Sequence, residues 1–185
     1  MLKTQTLELT GRDEGLRIVI RELPALEADR HARALLEAAD CDPDGGIVAL
    51  AFRDLATVRK SLGAQAPYTF ECFVNHTRGG APQIHDWRNI ERIQNAALAL
   101  HAGFAVDRKS LEMPVKMQAA MILHGGADAR VTFCSPFIAA VINSKYASYV
   151  ELETVLSTED AFNLSEIVTI NALRDFTQAE RDATT

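Results

Sequence analysis

Cys72 and His76 stand four residues apart, so on a helix a thiolate and an imidazole would share one face, and His85 follows a few residues on. Those are zinc-ligand types at a usable spacing. A closed zinc site needs four ligands, however, and the chain has no Cys-x-x-Cys and no second close pair. Cys134 and His124 are a second combination, a thiol and a base that folding would have to bring together. The plainer reading of both sets is a buried, inert cysteine with histidines in loops. There is no Gly-x-Ser-x-Gly, no phosphate loop and no His-Glu-x-x-His. Asp42, Asp44 and Gly45 open in the manner of a calcium loop, but Ile47 and Leu50 stand where further ligands belong. These residues assign no catalytic, cofactor or metal set.

The elements that would position these groups begin with a β-hairpin. Residues 4–9 alternate, Gly11 to Gly15 turn the chain, and Leu16, Ile18 and Ile20 alternate again. Such a hairpin must lie on something to be stable. Pro24 opens a helix whose apolar stripe is Ala28, Ala32, Leu35, Leu36 and Ala39. Ile47, Ala51, Leu55, Val58 and Leu62 line a second helix over about 47–62. Residues 68–74 fit a short helix or a strand, and 75–82 form a loop by composition. A third helix, about 84–101, carries Trp87, Ile90, Ile93, Ala97 and Leu100 on one face.

After Gly103 the pattern changes. Met113, Met117 and Met121 recur four apart, as a core stripe or as an adaptable binding face. Residues 131–134 suggest a strand, and Ser135-Pro136 starts a helix through Ile142. The pattern divides the chain into a hairpin-plus-helices domain over 1–104, a connector over 105–134 and a helical module over 135–185. The fold class expected is α+β, mostly α, with the N-terminal hairpin packed on an amphipathic helical bundle.

Hydrophobic residues make up 48% of the 185 positions and charged residues 24%, a folded rather than a disordered composition. The net charge of −6 argues against a broad nucleic-acid footprint. No apolar run is long enough to span a membrane. Three widely spaced cysteines fit a reducing compartment better than a disulfide framework.

The last helix has the most unusual pattern. Ser157 and Asp160 predict a capping box. At about 100° per residue, Ala161, Phe162, Leu164, Ile167, Val168, Ile170, Ala172, Leu173 and Phe176 cover most of its circumference. A surface helix shows one apolar stripe, so this one needs either deep burial or a partner. The spacing puts Leu164, Ile167 and Val168 on the packed side and Phe162, Leu173 and Phe176 on an open face. With Trp87 and Ile90 of the third helix, those three are the candidate partner-binding residues. The final polar residues are expected to fray.

Three segments in one order resemble the tail assembly chaperones of long-tailed, siphovirus-like bacteriophages. They are Ile18-Val-Ile-Arg-Glu-Leu-Pro-Ala25 leading into Ala32-Arg-Ala-Leu-Leu36, then Leu98-Ala-Leu-His-Ala-Gly-Phe104, then the stretch from Tyr149 to Ile167 containing Glu-Leu-Glu-Thr-Val-Leu-Ser and Glu-Asp-Ala-Phe-Asn-Leu. In that family the two modules are often separate or joined by a frameshift, whereas here they are one polypeptide. The resemblance implies a non-enzymatic factor of the host-cell cytoplasm, absent from the mature virion. Its partners would be the tape-measure protein, whose apolar helices it covers, and the tail-tube protein, which it recruits. Self-association is compatible with the same build, and neither nucleic acid nor membrane is expected as a partner. The alternative from a different class is a small cysteine- or metal-dependent hydrolase using Cys72, His76 and His85.

Overall fold

The computed structural model describes residues 2–44, 46–51, 84–106, 108–109, 111, 113–117 and 131–183. Most of the expected second helix, the 68–74 segment, Cys72, His76, Met121 and His124 lie outside these residues. Strand β1 (Thr4–Glu8) pairs antiparallel with β2 (Arg17–Arg21), Thr4 facing Arg21 and Glu8 facing Arg17. Helices α1 (Ala25–Ala38), α2 (Gly46–Ala51) and α3 (Trp87–Ala102) follow. Then come α4 (Pro136–Asn143), α5 (Tyr149–Thr154) and α6 (Thr158–Ala183). This is the expected α+β, mostly helical class.

Alternation in β2 works as read. Ile18 and Ile20 are buried, while Arg17, Val19 and Arg21 face out. They meet Leu35 and Leu36 of α1, Ile47 of α2, and Ile93 and Ala97 of α3 in one apolar cluster. A second cluster joins Ala25 and Leu26, from the first turn of α1, to Ile138 and Val141 of α4, Leu152 of α5 and Ala161 of α6. The two clusters thus share helix α1.

Backbone hydrogen bonds fix that sharing at residues 21–25. The Glu22 N–H donates to the Lys3 carbonyl at 2.9 Å, and the Glu22 carboxylate accepts from the Lys3 N–H at 2.9 Å. The Leu23 N–H donates to Nε2 of the buried His101 at 2.7 Å. The other ring nitrogen, Nδ1, lies 2.7 Å from the Ala97 carbonyl. Both contacts are satisfied by one tautomer, with the proton on Nδ1. Pro24 then provides the N-cap position of α1, and the Ala25 N–H reaches the Leu156 carbonyl at 2.8 Å. Consecutive residues are therefore tied to the N-terminus, to α3 and to the α5–α6 corner.

One turn further along α1, the buried Asp29 ties in two more helices. Its carboxylate accepts the Ser135 N–H at 2.8 Å and the Ser135 hydroxyl at the start of α4, and the Ile47 N–H at the start of α2. Gly46 has a φ of +50°, and a Cβ there would overlap both Asp29 Oδ1 and Ser135 Oγ. Asp13 does the corresponding work at α3. It accepts from the His85 N–H at 2.9 Å, the Asp86 N–H at 3.0 Å and Asn89 Nδ2 at 2.8 Å. These bonds hold its carboxyl below the ordinary range.

Two expectations need correction. Residues 132–134 form bends, not a strand, and no strand among the described residues pairs with them. There the Thr132 carbonyl accepts from Arg33 Nη2 at 3.2 Å. The polar tail stays helical to Ala183. Gln178 donates to Asp182 at 2.8 Å, and Lys116 pairs with Glu180 at 3.0 Å.

Two tests follow from the shared helix. Asp29→Ala leaves the Ser135 and Ile47 N–H groups without an acceptor in a dry site and should cost about 3 kcal/mol by denaturant titration. A fragment ending at Val106 uncovers Leu26, worth roughly 2 kcal/mol alone, and strips Asp29 of its Ser135 partners. It should lose the cooperative melt of the full chain, and retention of that melt would show that the first cluster stands by itself.

Candidate functional site

Phe162, one turn into α6, sits at the centre of an aromatic group. Its ring centroid lies 5.8 Å from that of Phe137 on α4 and 5.5 Å from that of Phe104, just past the end of α3. Both pairs are tilted, the favoured geometry for aromatic quadrupoles. The Arg108 guanidinium lies over Phe162 at 5.2 Å and over Phe104 at 6.0 Å. Arg108 Nε donates to Glu166 at 3.0 Å, so the cation is held over the rings by a carboxylate of α6.

Beside this group opens a cavity of about 390 Å³. Val48, Leu111 and Met113 join Phe137 and Phe162 in its apolar walls, with Lys109, Ser165 and Thr169 at its polar margin. The arrangement suits an apolar side chain presented by a partner helix, with polar contacts available at the rim.

The capping box at the start of α6 is formed as the sequence indicates. The Asp160 N–H donates to Ser157 Oγ at 3.1 Å, and the Ser157 N–H to Asp160 Oδ2 at 3.0 Å. The orientation of the helix differs from that expected. Phe162 packs inward on Phe137 and Phe104, while Ile167, assigned to the packed side, is 43% exposed. The cause is Ala161, fully buried where α6 meets the second cluster. Its small side chain allows close approach, and Ile167 falls about 120° round the helix from it. Leu164 does pack on that cluster. Leu173 and Phe176 are half-buried further along α6.

The remaining candidates lie elsewhere. Trp87 is 65% exposed and lines a separate polar cavity of about 290 Å³, while Ile90 is half-buried on the same helix. His85 shares that polar cavity with Arg12 and Arg88, cationic company for a would-be metal ligand. Among the described residues, no three His, Cys, Asp or Glu side chains are placed to hold a metal ion. Cys134 is fully buried, and burial together with the nearby Asp29 pushes its thiol up to about 11. A thiol so placed stays protonated near neutral pH.

Sequence reasoning missed His101, Asn89, Gln94 and Asp29 as buried polar positions. On α3, Asn89, Gln94 and His101 recur with the apolar residues at helical spacing, which is the signal that could have found those three. Arg108 had no such signal, because its ring partners come from distant parts of the chain. No described helix is long and apolar enough to cross a membrane. No protein-family model, no curated protein and no solved structure matches the chain.

Burial pushes the carboxyls of Glu22 and Asp29 above their ordinary values of 4.5 and 3.8. A raised acid binds its proton more tightly in the folded state, so its ionisation opposes folding. That cost is absent below the unfolded pKa and grows as pH rises through the folded one. Glu22→Gln keeps the acceptor for Lys3 and removes the charge. It should raise the melting midpoint at pH 7 and leave it unchanged near pH 4. A lower midpoint at pH 7 would mean that attraction to Lys3 outweighs burial.

Proposed function

We propose that this chain is a non-enzymatic assembly chaperone of the phage-tail kind. It covers apolar helical surface of a tape-measure protein until the tail tube encloses it, and it recruits tail-tube subunits to that filament. The observation that carries this reading is the apolar cavity walled by Phe137 and Phe162 beside the part-exposed apolar length of α6. The resemblance adds to it. Leu23, His101 and Leu156 come from its three segments, and Phe104 and Phe162 from the last two.

The physical role is coherent. A long helical filament with uncovered apolar faces aggregates. A small acidic protein that offers each turn a modest apolar seat can cover it reversibly, and many weak contacts along one filament sum to firm holding. The cytoplasm of an infected host cell is where such a factor would act, and it would leave before the virion is complete.

The test is co-expression with helical fragments of a tape-measure protein, followed by recovery of the soluble complex. Ile167→Asp changes an exposed site, so stability should shift by no more than about 0.5 kcal/mol. Capture of the fragment should weaken by about 2 kcal/mol if Ile167 borders the contact. Phe162→Asp puts a charge between the two remaining rings, Phe104 and Phe137, and should unfold the helical module. Cys72→Ser and His76→Ala should leave capture intact. Undiminished capture by Ile167→Asp would move the contact off this face, and no capture by the parent chain would end the reading.

A further inference from the structure

The Trp87 corner belongs to none of the above, and its chemistry is different. Arg12, at the tip of the hairpin, and Arg88, in the first turn of α3, line one side-chain cavity with His85, Asp86 and the indole of Trp87. Trp87 is 65% exposed, and the Arg88 guanidinium stands over its ring at 5.9 Å. The acids nearest these cations are already engaged. Asp86 Oδ1 accepts the Arg88 N–H at 3.0 Å as the helix cap. Asp13 is saturated by three donors from the start of α3. Arg17, by contrast, is paired with Glu8 at 2.8 Å, and Arg92 donates to Thr10 and to the Glu8 carbonyl. Arg12 and Arg88 have no carboxylate partner of that kind among the described residues.

The platform beneath them is stiff. Gly11 turns at a φ of +68°, and a side chain there would press on Asp86 Oδ2. Asn89 Nδ2 bonds both the Thr10 carbonyl and Asp13 at 2.8 Å, clasping the hairpin tip to α3. The backbone that carries Arg12, Trp87 and Arg88 is thus held in place before any ligand arrives, which lowers the ordering cost of binding.

We propose that the Arg12–Trp87–Arg88 corner docks a short acidic peptide segment of a partner protein. Guanidiniums recognise carboxylates with paired N–H donors, and the indole face accepts the methylenes of the same side chains. Charge decides between peptide and nucleic acid. A phosphate backbone needs a long basic track, whereas this corner offers two guanidiniums beside the Asp86 carboxylate, on a chain of net charge −6. A short acidic stretch matches its extent. The proposal does not depend on the chaperone reading, since it uses a different cavity and different residues.

Trp87 is the only tryptophan, so its emission reports on the corner directly. The purified full chain is titrated with a peptide of alternating glutamate and glycine, with its glutamine counterpart, and with a short oligothymidylate. The acidic peptide should change the emission saturably, and salt near 0.5 M should weaken the effect. Arg12→Gln and Arg88→Gln should each lower affinity about tenfold, the size of one lost charge-assisted contact, with the melting midpoint held. Ile167→Asp should bind the acidic peptide as the parent does, which separates this site from the α6 surface. Three results would overturn the proposal: no saturable response to the acidic peptide, an equal response to the glutamine peptide, or tighter binding of the oligothymidylate.

Discussion

Everything in this fold hangs on the junction at residues 21–25. Each of three successive backbone N–H groups, those of Glu22, Leu23 and Ala25 around an N-H-less Pro24, finds an acceptor on a different part of the chain. Buried backbone donors must be paired, so moving any of these partners orphans a donor in a dry place. Proline suits the gap because it has no N–H to satisfy and its fixed φ is ready for a helix start. The hairpin, α3 and the α5–α6 corner are thereby located relative to α1 before any apolar packing is counted. His101 is the least replaceable partner, since it must accept on one nitrogen while donating on the other.

The other buried polar groups follow the same logic at the helix starts. Asp29 serves α2 and α4, and Asp13 serves α3. A carboxylate at a helix N-terminus meets both the unpaired N–H groups and the positive end of the dipole. Apolar contacts alone would tolerate sliding of one helix along another. These carboxylates do not, because each accepts from donors at specific positions. Their opposite pKa directions reflect how far burial or hydrogen bonding dominates: burial raises Asp29, and three donors lower Asp13.

Regular periodicity made the elements legible. The alternation of Ile18 and Ile20, the stripe of α1 and the Ser157–Asp160 box all appear where their spacing placed them. What periodicity could not convey was orientation when most of a helix is apolar. On α6 the choice between Phe162 and Ile167 turned on Ala161, whose value lies in being small against neighbours far away in sequence. The division of the chain had the same difficulty. A change of pattern after Gly103 marks the end of α3, yet the first turn of α1 was already committed to residues from 134 onward. A helix serving two clusters shows in sequence only as a wider apolar face, here Ala25 and Leu26 preceding the regular stripe. The aromatic group beside the cavity was equally hidden, since its rings come from positions 104, 137 and 162.

Helix α3 relates the polar corner to the aromatic cavity. Trp87 and Arg88 open it, and Phe104 follows its end, where it touches Phe162 beside the apolar cavity. Sixteen helical residues span roughly 24 Å. Both ends are pinned, the first by Asp13 and Asn89 against the hairpin, the second by His101 against Leu23. The polar corner and the aromatic cavity are therefore set at a distance that neither can change alone. Tilting α3 to move Trp87 would pull His101 from the Leu23 N–H and leave that donor buried and unpaired. A partner long enough to reach both surfaces would meet two preset contacts of unlike chemistry, one cationic and one apolar. Joint engagement would then raise affinity through effective concentration rather than through new contacts.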